Sequence, residues 1–463
     1  MRTQQVIIGG GPVATNALET IREFDDGESQ IVLICDEPAH SRMALPYWLS
    51  GRVPREHTHT ADDAYYHNLN IDARIGQKVT GINPNANKVT LDDGDTVEFD
   101  NLLIATGAAP VGLKVTGTDL PGVQPLWTIA HTQSLLDATN GIATPRVALI
   151  GAGFIGFIML NAMYKLGWRL TVIERETHVL PRMLDIDSAG LVQSWLDARG
   201  IQVHTNASVQ AINNGDGGVK VVELMNGVRI DADVVIVATG IKPNLDLIQG
   251  SGIEMDEGIL VNNRMQTNFP NIYAGGDIAQ GPVLFNDQPT IHPIQPTAVD
   301  HGRVAGANMA GQEVRYPGSL LMNILDVCGL QNSSFGNWED SDAEAMTISN
   351  PDGFIYRKLL WTGDEISGAI FVGQANDMGM LTDVGMIKGI MQTRTPLGPW
   401  KNFLSENPFD IRRPYVASKV AEKLVGTTLL GRPAKSRQFR FSGVEPTTTV
   451  SPAHDVFFST KKS

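Results

Sequence analysis

Cysteine is nearly absent: Cys35 and Cys328 are the only two in 463 residues. They lie far apart in the chain and in no metal or redox spacing, which argues against a disulfide scaffold, a zinc centre or an iron–sulfur cluster. Long apolar runs are also absent. None approaches the ~20 residues that cross a bilayer, so no integral membrane segment is expected. The chain enters its first strand almost at once, which leaves no room for a signal peptide and makes cytoplasmic the expected location. The ten histidines are scattered, and His57 and His59 alternate without a supporting acid or cysteine cluster. They read as a solvated loop, and no metal is expected. The net charge is −14; from Lys401 onward 11 Lys+Arg face 5 Asp+Glu, so the remainder carries −20. So acidic a body argues against nucleic acid. The basic end reads as a solvated surface, with contact to an acidic partner as the alternative.

Glycine, by contrast, is plentiful, with 47 residues, and it is placed with a pattern. Val6-Ile7-Ile8 runs into Gly9-Gly10-Gly11, and Val147-Ala148-Leu149-Ile150 runs into Gly151-Ala152-Gly153-Phe154-Ile155-Gly156. Each is an apolar strand meeting a turn whose glycines let backbone approach a pyrophosphate at a helix N-terminus. Each is followed by a second strand that ends in an acid, Asp36 after Cys35 and Glu174 after Ile173. That is where a carboxylate binds a ribose diol. Two complete copies point to two dinucleotides held in one protein, an arrangement suited to passing electrons between them.

The repeat continues. Ile104-Ala105-Thr106-Gly107 and Val237-Ala238-Thr239-Gly240 both close apolar, β-branched strands of the kind buried on both faces. Pro110 to Pro125 and Lys242-Pro243-Asn244 read as crossovers between units. Asn271 to Asp277 returns to a strand and turn, and Pro296 to Ala310 reads as a helix with proline in its first turn and Gly311 past its end. From about 315 to 430 the texture changes to a hairpin around Lys358 to Val372 and helical patterns over 376–394 and 416–425. Residues 431–463 lack periodicity and read as an extended or disordered tail.

In this order the motifs resemble the pyridine nucleotide–disulfide oxidoreductase superfamily, over roughly residues 1–375. Ser41-Arg42-Met43-Ala44-Leu45-Pro46-Tyr47 is similar to the active-site stretch of the coenzyme A disulfide reductase and NADH oxidase branch, and the region also resembles rubredoxin and ferredoxin reductases. The resemblance implies an α/β protein with two Rossmann-like folds and a C-terminal α+β interface domain. It implies an FAD-binding domain over 1–120 and 245–314, an NAD(P)H-binding domain over 121–244, and a dimerisation-like domain over 315–430 that would make a homodimer. It places Gly9, Gly11, Ala14, Asp36, Arg42, Thr106, Gly107, Asp277, Thr297 and Ala298 at FAD. It places Gly151, Gly153, Ile155, Gly156, Glu174 and Gly240 at NAD. Asp277 would accept from ribityl hydroxyls. Free amides of Thr297 and Ala298 would face the flavin pyrimidine ring, where a helix N-terminus stabilises negative charge by about 0.3–2 kcal/mol. Glu174 favours NADH over NADPH by repelling a 2′-phosphate, while Arg175 weakens that preference. Phe154 falls at the aromatic gate over the flavin; as a residue alone it reads as core.

Two departures shape the functional reading. Met43 stands where the disulfide-reducing branches carry a reactive cysteine, and a thioether forms neither thiolate nor mixed disulfide. Cys35 and Cys328 read as inert packing residues. Ile158 stands where the family has a glutamate that anchors nicotinamide, a loss on the order of 1.5–3 kcal/mol. The expected activity is NAD(P)H oxidation through FAD, with electrons going to an external acceptor: an electron-transfer protein, a quinone-like molecule or oxygen. A non-enzymatic or weakly active assembly or sensor flavoprotein is the alternative. A coenzyme A-dependent enzyme, resting on Arg22 and the Ala44-Leu45-Pro46-Tyr47 match, is a third.

Overall fold

Two parallel sheets of one plan follow from the two strand–glycine motifs. A computed structural model describes residues 2–425 and Leu430, so the expected tail over 431–463 lies outside the described residues. In the first sheet Gln4–Ile8 lies between Gln30–Cys35 and Asn101–Ile104, with Ile71–Ile75 and Ile272–Ala274 at the edges, all parallel. In the second, Arg146–Ile150 lies between Arg169–Ile173 and Val234–Val237, with Gln202–His204 and Val123–Gln124 outside. Val6, Ile7, Val234 and Val235 are all fully buried. Strands covered on both faces need apolar side chains on both, so they read as continuous runs and not as alternation. In each sheet the order reverses beside the first strand, which opens a crevice at the strand carboxyl ends.

The internal repeat goes further than its motifs. Each fold carries a three-stranded antiparallel meander, Val79–Asn83 with Lys88–Leu91 and Thr96–Glu98, and Val209–Asn214 with Lys220–Leu224 and Arg229–Ala232. The two crossovers form one ribbon: Ala108–Pro110 pairs antiparallel with Ile241–Pro243. The helix Gln295–Met309 lies against Pro12–Asp25, and glycine permits the close approach. A Cβ on Gly302 would fall 2.3 Å from the Val13 carbonyl oxygen, and one on Gly306 would fall 2.8 Å from that of Ala17.

Residues beyond 315 form a five-stranded antiparallel sheet ordered Met322–Val327, Leu330–Gly336, Glu365–Gln374, Ile355–Thr362, Glu344–Asn350. The hairpin expected around Lys358 to Val372 is its centre. One face packs Leu325, Val327 and Val372 on Phe157, Leu160 and Trp195 of the second fold. The other packs Phe335 and Phe371 on Val384, Ile387 and Ile390 of the helix Met378–Gln392. Both faces are thus covered within the chain. The helix expected over 416–425 is two short ones, Arg412–Ala417 and Val420–Val425, because Lys419 takes a left-handed φ of 54° between them. Trp400–Glu406 is a further helix that the apolar spacing did not reveal. No helix among the described residues is long and apolar enough to cross a membrane.

Candidate functional site

A cleft of about 1870 Å³ runs along the carboxyl ends of the first sheet and reaches the start of the second fold's helix Phe154–Lys165. Its floor is the turn after Gln4–Ile8. Gly9 has φ 107°, and a Cβ there would sit 2.2 Å from the Ala105 carbonyl oxygen. A Cβ on Gly11 would meet nothing within 4 Å, so that position opens onto the cleft. The second fold repeats this: Gly151 has φ 101°, its Cβ would lie 2.4 Å from the Ala238 oxygen, and Gly153 is open. The Ala-Thr-Gly repeat therefore has a structural cause, since each supplies the carbonyl that presses on the first glycine of its fingerprint. Gly156 is required by packing: its Cβ would lie 2.8 Å from the Gly151 oxygen.

Around the first turn, Asp36, Arg42, Met43, Thr106, Gly107, Asp277, Thr297 and Ala298 all line the cleft. Ala14 does not; it is fully buried at the helix–strand contact, where a third glycine or alanine serves packing. Thr106 Oγ1 and Arg42 Nε are buried with no hydrogen-bond partner among the described residues. Arg42 places its guanidinium 4.4 Å from the ring of Trp127 and 3.9 Å from Glu37. Trp127 was not singled out from sequence. Its Nε1 donates to the Ala108 carbonyl at 3.1 Å, which fixes the ring under Arg42. Asn244 was also missed as a site residue; Nδ2 donates to the Thr106 carbonyl at 2.8 Å and its amide to Gly107 at 3.0 Å. An asparagine directly after the proline of the second crossover was the available signal.

Asp277 follows Gly276, whose N–H donates to His301 Nδ1 at 3.2 Å. That bond makes Nδ1 the acceptor, and burial pushes His301 down to about 3, so the ring is neutral. Burial pushes the Asp277 carboxyl up from its ordinary range, and the Arg42 charge partly opposes this. His292 is likewise pushed down to about 4 by burial. Its Nε2 accepts from the Met322 N–H at 3.2 Å, and its Nδ1 lies 2.9 Å from Thr297 Oγ1. The helix carrying Thr297 begins at Gln295, one residue earlier than its sequence indicates. The Ala298 N–H consequently donates to the Ile294 carbonyl at 3.1 Å and is not free for a ligand. The amides ahead of that first helical bond, including Thr297, are the ones left to face the cleft.

On the second fold, Phe154, Ile155 and Ile158 enter the same cleft, which brings the start of the helix Phe154–Lys165 to the glycine turn of the first fold. Gly240, with φ 129°, lines a small separate pocket together with Trp127 and Ile155. Glu174 is buried and turned inward: the Ala152 N–H donates to Oε2 at 2.6 Å and the Glu176 N–H to Oε1 at 2.8 Å. It pins the glycine turn, and a carboxylate keeps lone pairs for a ribose. Arg175 is exposed and paired with Glu176.

Arg22 is not a solvated arginine but a clamp, donating to Leu69, Asp25, Ser29 and Asn70. All three of its guanidinium nitrogens are engaged within the first fold, so it does not stand as a free cation for coenzyme A. Cys35 lies beneath the first glycine turn, with Sγ 3.3 Å from where a Gly10 Cβ would be. Cys35 and Cys328 are both free and buried, and burial pushes both thiols up to about 12. Met43 lines the cleft at 43% exposure. No group of three His, Cys, Asp or Glu able to hold a metal occurs among the described residues.

The open glycines, the orphaned Thr106 and Arg42 atoms and the acids at the strand ends fit a dinucleotide in each cradle. The fold and site thus define an oxidoreductase of the two-dinucleotide-fold class. The family model for pyridine nucleotide-disulphide oxidoreductases matches residues 3–302. An NADH oxidase of Methanocaldococcus jannaschii is 35% identical over 321 residues, covering 67% of this chain and 71% of that protein. The epsilon subunit of the NADH-dependent phenylglyoxylate dehydrogenase of Aromatoleum evansii is 28% identical over 417 residues, covering 89% and 96%. Putidaredoxin reductase in its covalent complex with putidaredoxin superposes with a TM-score of 0.81 over 90% of this chain and 99% of that one; at 24% identity this shows the fold. The chain spans only 46% and 49% of two longer Bacillus subtilis relatives that it also matches. The chain belongs to the pyridine nucleotide-disulphide oxidoreductase family, and is an enzyme of that class using FAD and NAD(P)H.

Proposed function

We propose that this enzyme oxidises NADH at FAD and passes the electrons to an external acceptor, a small electron-transfer protein or a small molecule, without a thiol relay. The observation that carries this reading is the cleft wall itself: Met43 stands exposed on it, Cys35 borders it only as a buried thiol beneath the first glycine turn, Cys328 is buried in the third unit, and burial pushes both thiols up to about 12. FAD, when bound, supplies the step between a two-electron donor and the acceptor. The chain's part is positioning. Gly9 and Gly11 bring backbone to the FAD pyrophosphate, Asp277 accepts from the ribityl chain, and Arg42, held by Trp127, lies along the cofactor. The helix starting at Gln295 turns amide donors toward developing negative charge. Phe154 covers the nicotinamide side, and Glu174 holds the glycine turn and meets the adenosine ribose. Ile158 packs on the second fold's core and leaves the nicotinamide to be oriented by other contacts.

A specific observation favours one second reading. The Aromatoleum relative, covered over 96% of its length, is by name a subunit of a larger NADH-dependent enzyme. The acceptor in that reading is a partner subunit. Alkylation tests the main proposal. After excess iodoacetamide, NADH-driven reduction of ferricyanide should keep its rate. Loss of most of the rate would refute a mechanism without thiols.

A further inference from the structure

The third unit gives the cleft a wall that neither glycine cradle requires. Lys388 and Gln392 come from the helix Met378–Gln392, Lys423 and Leu424 from Val420–Val425, and Ile324 from Met322–Val327. Gly389 permits the two helices to close together, since a Cβ there would lie 3.1 Å from Leu424 Cδ1. Leu424 is 39% exposed and Ile324 43% exposed on this wall. Lys423 Nζ donates to the neutral Thr395 Oγ1 at 2.9 Å. Among the described residues, neither lysine has an acid within ion-pairing distance, while Lys401 and Lys419 do. Asp300, on the helix Gln295–Met309, also lines the cleft and feels the charges of Lys388 and Arg303. In a chain of net charge −14, two lysines with no direct ion pair among the described residues, of which Lys388 has Asp300 as a longer-range acid, lie with exposed apolar side chains on a surface complementary to an organic anion.

The geometry points to a binding site for an anionic, ring-containing electron acceptor of the quinone class, with its charge at Lys388 and Lys423 and its ring against Ile324 and Leu424. This rests on the proposed electron transfer to an external acceptor and names the acceptor's chemistry. The reaction balances: NADH, one proton from solvent and the quinone give NAD⁺ and the hydroquinone, with two electrons passing through the flavin.

The test uses the full-length, FAD-loaded, oxidised protein and two probes, anthraquinone-2-sulfonate and uncharged 2-(hydroxymethyl)anthraquinone. Binding is read from the shift of the flavin absorption band, and turnover with NADH gives KM for each. The sulfonate should bind more tightly by about two- to fivefold per lysine. The preference should fall to near one in Lys388→Gln/Lys423→Gln, with the change appearing in KM for the sulfonate. No preference in the wild type, or an undiminished preference in the variant, would overturn the proposal. Loss of FAD from the variant would assign the lysines to the flavin and overturn it equally. If NADH leaves the flavin oxidised, the electron-transfer reading fails, and the equilibrium binding still decides what this wall holds.

Discussion

Asp277→Asn should act with opposite signs on the empty and the FAD-loaded protein. Burial pushes this carboxyl above its ordinary value of 3.8, with Arg42 pulling it partly back. The folded chain therefore binds that proton more tightly than the unfolded chain does. Below 3.8 both states are protonated and the group costs nothing. As pH rises through the folded value, the charge becomes a destabilising load that persists to neutrality. Replacing it with asparagine should stabilise the FAD-free chain at pH 7, on the order of 1 kcal/mol for a partly exposed group. The gain should shrink as pH falls toward 4. With FAD the sign inverts. Hydrogen bonds from ribityl hydroxyls to a charged acceptor are worth about 1.5–3 kcal/mol, so FAD should bind about 10- to 150-fold more weakly. Thermal melts of FAD-free protein across pH 4–8, with fluorescence titration of FAD, read both effects. An FAD-free variant less stable than wild type at pH 7, or unchanged FAD affinity, refutes the reasoning.

Further outcomes concern packing and the second cradle. Gly302→Ala should cost about 2–3 kcal/mol by overpacking, because the new Cβ lands 2.3 Å from the Val13 carbonyl oxygen; melts read it, and an unchanged Tm contradicts it. Glu174→Gln should raise KM for NADH about tenfold, since its amide group can accept only one of the two backbone N–H bonds and leaves the other donor unsatisfied, a loss of about 1–3 kcal/mol. FAD content should stay at one per chain, and a normal KM would count against Glu174 as the residue that holds the turn.

The two sheets were legible because strands buried on both faces must be continuously apolar and the turns after them must be glycine. Gly9 and Gly151 show this twice, each pressed by the carbonyl of an Ala-Thr-Gly alanine. Contacts made across the sequence were not legible. The stack of Trp127 under Arg42 joins residues 85 positions apart, and His301 reaches the Gly276 amide from the next helix. Neither leaves a local pattern. The Ala298 amide was misassigned for a local reason: proline tolerates several positions in a first helical turn, so Pro296 alone leaves the start uncertain by one residue, enough to change which N–H groups are free. Arg22 looked solvated on an amphipathic helix, and only the approach of Leu69 and Asn70 makes it a clamp.

Anaerobic titration of the FAD-loaded protein with NADH tests the central claim most directly. In the proposed mechanism, where nicotinamide and flavin meet in one cleft without a sulfur relay, the flavin absorption should bleach fully at one NADH per FAD. Flavin left oxidised by NADH, or a requirement for a second equivalent, would contradict the account.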